Sequence, residues 1–292
     1  MSDKAEPPGV TTPESVVGDP SPRPDYPRYR VAPDADFRIA DADPDVSEDY
    51  KRKKDVSKDL EIQRTRIADL QARLYAENRR SLLIVLQAMD TGGKDGTIKH
   101  VFGGVNPQGC RVWSFKVPSV EELSHDFLWR YHQRTPLRGM ITIFNRSHYE
   151  DVLVVRVKSL VPEDVWQDRY ELINDFERLL FENNVTVLKF FLHISKDEQK
   201  RRLEDRLVTP EKRWKFSRND LIERALWEDY QVAYQEAIDR CSTAEAPWYV
   251  VPANKKWYRN LVIARTIADT LEAMDPSFPP AEQDLADVVV PD

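Results

Sequence analysis

The sequence predicts an α/β fold in which helices cover both faces of a parallel sheet. Along most of the chain, short apolar runs alternate with longer amphipathic stretches, as in βαβ units. The first apolar run, at residues 81–88, is almost continuously hydrophobic, as expected for a strand buried on both faces. The chain has 292 residues, of which 41% are hydrophobic, so it can form a substantial core.

The individual elements follow from this alternation. A helix over residues 50–78 leads into the strand at 81–88. Four further strands are predicted at residues 111–115, 140–144, 185–194 and 248–251. Further helices are predicted at residues 94–104, 119–133, 163–183, 195–208, 217–240 and 257–273. A central parallel sheet of about five strands is therefore expected.

One domain with two tails is the predicted organisation. Residues 1–45 hold nine of the 20 prolines and show little hydrophobic periodicity, which is typical of a flexible arm. An arm that wraps around another subunit is the alternative. Residues 46–275 form the predicted domain, and residues 276–292 form a short C-terminal tail.

Composition and charge disfavour several classes of protein. A net charge of -7 argues against a generally basic nucleic-acid-binding surface, so any anion site must be concentrated locally. The two cysteines and five histidines show no metal-ligand spacing, so neither a disulfide framework nor a zinc site is expected. No leader pattern or membrane-spanning apolar run is apparent, and a cytoplasmic protein is expected.

The turn after the first predicted strand has the composition of a phosphate-binding loop. Residues 88–97 read AMDTGGKDGT, so a strand, a glycine-bearing turn, a lysine and a helix follow one another. The glycines allow the backbone to approach a phosphate, the helix N-terminus offers N–H donors, and the lysine adds a positive charge. The candidate phosphate-binding residues of this turn are Gly92, Gly93, Lys94, Asp95, Gly96 and Thr97.

Three residues distinguish this turn from the standard phosphate loop. Ala88 takes the place of the first glycine, and Asp95 stands where serine or threonine normally holds Mg²⁺. Asp90 would repel a phosphate unless a divalent cation lay between them, so it is a predicted metal ligand. The alternative is an ordinary strand-to-helix connection in which Asp90 and Thr91 are turn and capping residues.

A second polar cluster follows the predicted strand at 140–144. Ligands of open α/β sheets bind at the carboxyl ends of strands, where Asn145, Arg146 and Glu150 are expected. Arg146 suits a phosphate or the charge of a transferring group, whereas Asn145 and Glu150 suit metal-bound waters. The alternative is a polar turn in which Arg146 pairs with a helix carboxylate.

Residues 196–218 carry nine basic side chains. Two of them have acidic partners at i,i+4 spacing, as on an ordinary solvated helix face: Arg201 with Asp197 and Arg202 with Glu198. The segment 211–216, EKRWKF, follows Pro210 and is not expected to be a regular helix. Its charge fits a lid that closes over phosphates, and a basic surface loop is the alternative. The remaining candidate phosphate-binding residues are Lys116, Arg130, Lys212 and Lys215.

In combination, these motifs resemble the second family of polyphosphate kinases. The resemblance extends from residue 50 to residue 273 and is carried by LQAMDTGGKDGTIKHVFGGVNPQG, IFNRSHYEDVLVVRV, FFLHISKDEQKRRLEDR and PEKRWKFS. It implies a three-layer α/β/α P-loop kinase fold, with a helical lid around residues 206–218. It also implies a homodimer or homotetramer, dependence on Mg²⁺ with Mn²⁺ as a substitute, and binding of polyphosphate, AMP, ADP and ATP. From the acidic balance and the lack of a long apolar run, no nucleic-acid or membrane partner is expected.

The resemblance also assigns roles to single residues. Asp90 matches the metal-coordinating aspartate, Lys94 the phosphate-binding lysine, and Arg146 the arginine of the second motif. Arg206 matches the arginine that enters the lid. These four are the expected catalytic residues.

The second motif is expected to contribute to two sites. Asn145, Arg146 and Glu150 are expected to contact the nucleotide, and Asp90, Asn145 and Glu150 the metal. Asn145 replaces an aspartate of other members, so direct and water-mediated metal binding both stay open. Ala88 and Glu150 replace a glycine and an asparagine. The form NRSHYE resembles the branch that phosphorylates AMP and, in some members, ADP.

The expected activity is direct phosphoryl transfer between polyphosphate and AMP or ADP. An ATP-dependent nucleoside or nucleotide kinase is an alternative that differs in the donor. A noncatalytic nucleotide-binding or polyphosphate-binding module would bind without turnover. A nucleic-acid-binding protein is disfavoured by the acidic balance of the chain.

Overall fold

The computed structural model describes residues 29–48, 50–282, 288 and 290–291. The strands of this part are β1 (Ser81–Gln87), β2 (Cys110–Ser114), β3 (Ile141–Asn145), β4 (Val185–His193) and β5 (Trp248–Pro252). Its α-helices are α1 (Lys53–Glu77), α2 (Lys94–Val101), α3 (Val120–Leu123), α4 (Trp129–His132), α5 (Val154–Val157), α6 (Glu163–Glu182), α7 (Lys196–Val208), α8 (Asn219–Ala225), α9 (Trp227–Cys241) and α10 (Lys256–Met274). Short 3₁₀ helices lie at Ile39–Asp41, Pro107–Gly109, His148–Asp151 and Pro210–Lys215. None of the helices in these ranges is long and apolar enough to cross a membrane.

The sheet is parallel throughout, with the strand order β2-β3-β1-β4-β5. Every residue of the central strand β1 is buried, which explains its continuous apolar sequence. In the register of β1 with β3, Leu86 lies opposite Asn145. The turns that follow β1 and β3 are therefore side by side at the carboxyl edge of the sheet, where ligands of open α/β sheets bind.

Helices pack against both faces of the sheet. One layer contains α1, α2 and α10, and the other contains α5, α6 and α9. Large side chains such as Phe144, Phe190 and Trp248 are fully buried between the layers. The predicted three-layer α/β/α fold and its five strands are confirmed.

The predicted helix at 119–133 is wrong, because this stretch forms the two short helices α3 and α4. Ser119 caps α3 in a reciprocal pair with Glu122, whose backbone N–H donates to the serine hydroxyl. Asp126 then accepts hydrogen bonds from the backbone N–H groups of Leu128 and Trp129. A second capping residue thus starts a new helix after one turn.

Two other predicted helices differ in extent. The prediction of one helix over 217–240 is wrong, because Leu226 has φ -89° and ψ 21° and separates α8 from α9. The helix predicted at 94–104 ends at Val101 instead. Gly103 and Gly104 follow, and Gly104 has φ 105°, which a helix cannot contain.

The described part of the predicted N-terminal arm packs against β5. Val31 donates its N–H to the carbonyl of Trp248 at 2.8 Å, and Val250 donates to the carbonyl of Tyr29 at 2.8 Å. Ile39 is buried in the core. Part of the predicted arm, within residues 29–45, therefore packs on the domain predicted at 46–275. Residues 1–28 of the predicted arm, and residues 283–287, 289 and 292 of the predicted tail, lie outside the described residues.

Candidate active site

The phosphate turn, residues 88–93, connects β1 to α2. Thr91 has φ 63° and Gly93 has φ 105°, so the backbone turns through the left-handed region twice. A side chain at Gly92 would collide with the methyl group of Ala88. The residue that replaces the first glycine of the standard loop thus makes a glycine necessary at position 92.

Lys94 is the half-buried first residue of α2, and its ammonium group lies beside the phosphate turn. Its Nζ donates to the carbonyl oxygen of Ala88 at 3.1 Å. Burial, followed by the positive charge of Arg146, lowers the pKa of Lys94 to about 8. A phosphate beside this amine would favour the protonated form.

Arg146 follows β3 and reaches across to the phosphate turn. Its guanidinium donates to Glu150 at 3.0 Å and to Asp90 at 2.9 Å. The charge of Glu150 raises the pKa of Arg146, as does that of Asp90, so the guanidinium stays protonated. Pairing with Glu150 is what the polar-turn alternative predicts. The bond to Asp90, however, joins the two predicted site elements directly.

A second bond joins the end of β3 to the start of α2. The amide of Asn145 donates to the carboxylate of Asp95 at 2.8 Å. Asp95 lies in the first turn of α2, next to Lys94. Asn145 thus supplies the amide donor and Asp95 the carboxylate acceptor. The register of β1 with β3 places the two residues close enough to form this bond.

A cleft of about 540 Å³ lies along these turns and the basic segment 206–215. The predicted residues that line the cleft are Asp90, Gly92, Gly93, Lys94, Asp95, Gly96, Lys116, Asn145, Arg146, Arg206, Lys212 and Lys215. In total, nine basic side chains and three carboxylates line it. The local concentration of positive charge that an anion site requires on a chain of net charge -7 is thus present among the described residues.

Three predicted site residues do not line this cleft. Thr97 is buried, and its hydroxyl donates to the carbonyl of Gly93 at 3.2 Å, so it holds the turn from behind. Arg130 pairs with Glu122 at 3.1 Å and donates to the carbonyl of Lys116 at 2.9 Å. Glu150 is bound to Arg146. Phosphate binding by Thr97 and Arg130 stays a prediction.

Segment 206–215 is held over one side of the cleft by its own ion pairs. Arg206 pairs with Asp220 at 3.0 Å and donates to the carbonyl of Lys215 at 3.1 Å. Lys212 pairs with Asp205 at 2.7 Å. Pro210–Lys215 is a 3₁₀ helix, consistent with the expectation that this basic stretch is not a regular α-helix.

The interpretation of Arg202 as part of a solvated helix face is wrong. Arg202 does pair with Glu198, at 2.6 Å, but only 6% of its side chain is exposed. It donates to the carbonyls of Thr91 at 2.9 Å and Gly92 at 3.0 Å. The i,i+4 spacing was misleading, because it is the same for a buried pair and for a surface pair.

Several other residues of the cleft are missing from the sequence-based set. They come from the end of β2 and from α7 and α10, and they are Ser114, Phe115, Asp205, Lys256 and Arg259. Lys256 and Arg259 have i,i+3 spacing at the start of the helix that follows β5. A basic pair at that point, just after a strand, is the sequence signal that indicates them.

The residues around Asp90 fit a metal ion that is shared with a substrate. In the described residues, no group of three or more His, Cys, Asp or Glu side chains is arranged to hold a metal alone. Mg²⁺, however, is commonly held by one or two carboxylates together with substrate phosphates. Asp90 and Asp95 line the cleft and Asn145 lies beside them, which provides such an oxygen donor set.

Comparison with known proteins agrees with this geometry. The sequence model of the family described as polyphosphate kinase 2 matches residues 50–279. An AMP/ADP-polyphosphate phosphotransferase of Meiothermus ruber is 53% identical over 264 residues, which cover 90% of this chain and 99% of that protein. An ADP-polyphosphate phosphotransferase of Rhodopseudomonas palustris is 46% identical over 242 residues, covering 79% of this chain and 84% of that protein.

A solved structure shows the same fold. The crystal structure of polyphosphate kinase 2 from Arthrobacter aurescens TC1 superposes with a TM-score of 0.86 at 44% identity. The superposition covers 92% of this chain and 96% of that one. The family match, the two relatives and this structure agree over the domain that contains the cleft, and the chain belongs to the polyphosphate kinase 2 family.

Proposed function

We propose that this protein transfers phosphoryl groups between inorganic polyphosphate and AMP or ADP. The observation that carries the proposal is the cleft, in which nine basic side chains surround a phosphate turn on an acidic chain. A long polyanion is a substrate that needs such a concentrated cationic channel. The relative from Meiothermus ruber is named for polyphosphate with AMP and ADP, and the relative from Rhodopseudomonas palustris for polyphosphate with ADP.

The reaction is a direct in-line transfer. An oxygen of the nucleotide's terminal phosphate attacks the last phosphorus of the polyphosphate chain. One P–O bond forms, one phosphoanhydride bond breaks, and the donor leaves one phosphate shorter. No covalent enzyme intermediate is needed, because catalysis of this type depends on positioning and on stabilisation of charge.

The residues of the two turns divide these tasks. Lys94 and the backbone N–H groups of the phosphate turn hold the donor phosphates. Arg146 stabilises the charge on the transferring group and, with Asn145, contacts the nucleotide phosphate. Glu150 lies outside the cleft, and we assign it to holding the guanidinium of Arg146 rather than to binding metal or nucleotide.

We also propose a Mg²⁺ requirement, with Mn²⁺ as a substitute. Asp90 would be the principal ligand, with Asp95 and Asn145 as further oxygen donors. The bound ion would neutralise phosphate charge next to these carboxylates. Without it, the two carboxylates would repel the substrate that the neighbouring cations attract.

The basic segment 206–215 completes the channel. Arg206 and Lys212 are paired with Asp220 and Asp205, and we propose that phosphates replace these carboxylate partners when substrate binds. Movement of the segment would then exclude water from the transferring group.

The test is a comparison of phosphoryl donors. Purified protein is incubated with Mg²⁺, AMP or ADP, and either polyphosphate or ATP, and the nucleotides are resolved by chromatography. We expect ADP or ATP to form with polyphosphate as the donor. If product forms with ATP as the donor but not with polyphosphate, the ATP-dependent kinase is favoured. If polyphosphate binds but no phosphate is transferred, the noncatalytic module is favoured.

A further inference from the structure

Arg259 of α10 lies directly behind the phosphate turn. Its Nη1 donates to the carbonyl of Gly92 at 3.1 Å, while Nε and Nη2 donate to Oδ1 of Asn260. A side chain at Gly93 would collide with this guanidinium, and one at Gly96 would lie 3.6 Å from it. The guanidinium therefore packs against both the turn and the start of α2.

Arg259 is a buried cation whose charge is not balanced nearby. It is 2% exposed, and no carboxylate among the described residues forms an ion pair with it. Burial, followed by the charge of Arg202, lowers its pKa to about 9, which still leaves it protonated at neutral pH. Buried charges in proteins are normally paired, so an unpaired one beside a cleft indicates an anionic ligand.

Arg202 provides a comparison on the other side of the turn. It donates to the carbonyls of Thr91 and Gly92, but its charge is balanced by Glu198 at 2.6 Å. The carbonyl of Gly92 thus accepts from both arginines. Loss of one guanidinium leaves this oxygen with a hydrogen-bond partner.

These bonds have a consequence for anion binding. Carbonyl oxygens carry partial negative charge and would repel a phosphate, whereas the N–H groups of the same peptides attract it. The N–H of Gly92 already donates to the carbonyl of Met89 at 2.9 Å, so it holds the turn itself. The two guanidiniums both hold the carbonyl of Gly92, which fixes the orientation of the peptide that carries the N–H of Gly93. The turn is then arranged for the anion before it binds.

We propose that Arg259 is a positioning residue for the phosphate turn, and that phosphates of the donor supply the negative charge its guanidinium lacks. The proposal rests on the proposed function for the identity of the donor. It makes α10, which contributes no residue to the sequence-predicted site, part of the phosphate-binding machinery.

The test compares Arg259→Met, Arg259→Lys and the control Arg66→Met. Arg66 pairs with Asp269 and Glu272 of α10 and does not line the cleft. We expect Arg259→Met to raise the apparent KM for polyphosphate about tenfold or more, and that for AMP less than about twofold. Arg259→Lys should recover part of the loss, because it keeps the charge. The control should leave both KM values unchanged.

A binding measurement separates this inference from the proposed function. Inorganic tripolyphosphate should raise the melting temperature of the wild type and of Arg66→Met, but much less that of Arg259→Met. Equal shifts and equal KM values for all three proteins would overturn the role of Arg259 and leave the proposed function standing. The role of Arg259 would also be overturned if Arg259→Met changed kcat and stability but left the KM for polyphosphate unchanged.

Two further outcomes are decided in advance. If the wild type neither binds tripolyphosphate nor uses polyphosphate, the proposed function fails, and the inference fails with it. If Arg259→Met does not fold, Arg259→Lys decides, and a KM for polyphosphate equal to that of the wild type would overturn the inference.

Discussion

At the scale of single residues, the account depends most on the charge of Lys94. Its ammonium group is the cation placed at the junction of the phosphate turn and α2. Lys94→Ala should lower kcat/KM by more than tenfold, which corresponds to at least ~1.4 kcal/mol of transition-state stabilisation. The melting temperature, measured in parallel, should change little, because the side chain makes one hydrogen bond to a carbonyl.

The pKa of Lys94, about 8, predicts a pH dependence. Because its pKa is lowered from the usual 10.5, the free enzyme loses this positive charge as the pH rises through about 8. A profile of kcat/KM against pH, which reports the free enzyme, should therefore fall on the alkaline side near that value. Lys94→Arg keeps its charge at high pH, and a fall at the same pH in this variant would contradict the assignment.

We propose Asp90, rather than Asp95, as the principal metal ligand. Both carboxylates line the cleft and both accept a hydrogen bond, Asp90 from Arg146 and Asp95 from Asn145, but Asp90 lies in the phosphate turn and Asp95 lies on the helix. We expect Asp90→Asn to slow transfer severely and to weaken the response to Mg²⁺, while Asp95→Asn has a milder effect. Titration of activity with Mg²⁺ for both variants is the measurement. The reverse order of effects would assign the metal to the other carboxylate.

At the scale of elements, a buried ion pair supports the turn that carries Arg146. Lys189 of β4 donates to Glu177 of α6 at 2.5 Å and to the hydroxyl of Tyr149 at 2.8 Å. His148 also contacts Glu177, at 3.0 Å. Both Lys189 and Glu177 are almost completely buried, so the turn after Arg146 rests on a paired charge inside the core.

Removal of one partner should therefore destabilise the fold strongly. Lys189→Met removes the ammonium partner of the buried Glu177 carboxylate, and we expect a loss of about 3–5 kcal/mol in the free energy of unfolding. In Lys189→Met/Glu177→Gln, which removes both charges, part of this loss should be recovered. Denaturant titration of the three proteins measures it, and equal stability of the single variant and wild type would refute the role of the pair.

The elements also show which parts of the structure can be predicted from sequence. The strand β1 is predictable because burial on both faces demands a continuous apolar run, and the phosphate turn because its glycines and lysine are contiguous. The separation of α3 from α4 depends on one capping aspartate, Asp126, within an otherwise helical pattern. Arg202 and Arg259 were missed because their contacts join distant parts of the chain, which local spacing does not report.

At the scale of the whole molecule, charge is distributed very unevenly. The chain is acidic, yet its cleft is lined by three times as many basic side chains as carboxylates. This contrast attracts a polyanion to one place and disfavours general binding to nucleic acid. The predicted homodimer or homotetramer and the cytoplasmic location stay predictions, which gel filtration with light scattering and cell fractionation would test.

The most direct test of the central claim is a time course with polyphosphate as the only phosphoryl donor. Wild type and Lys94→Ala are incubated with AMP and polyphosphate, with Mg²⁺ or with a chelator, after both proteins are shown to be folded. We expect ADP, followed by ATP, from the wild type with Mg²⁺, at least about tenfold less from the variant, and none with the chelator. A folded wild-type protein that transfers phosphate to no nucleotide, or a variant as active as the wild type, would contradict the account.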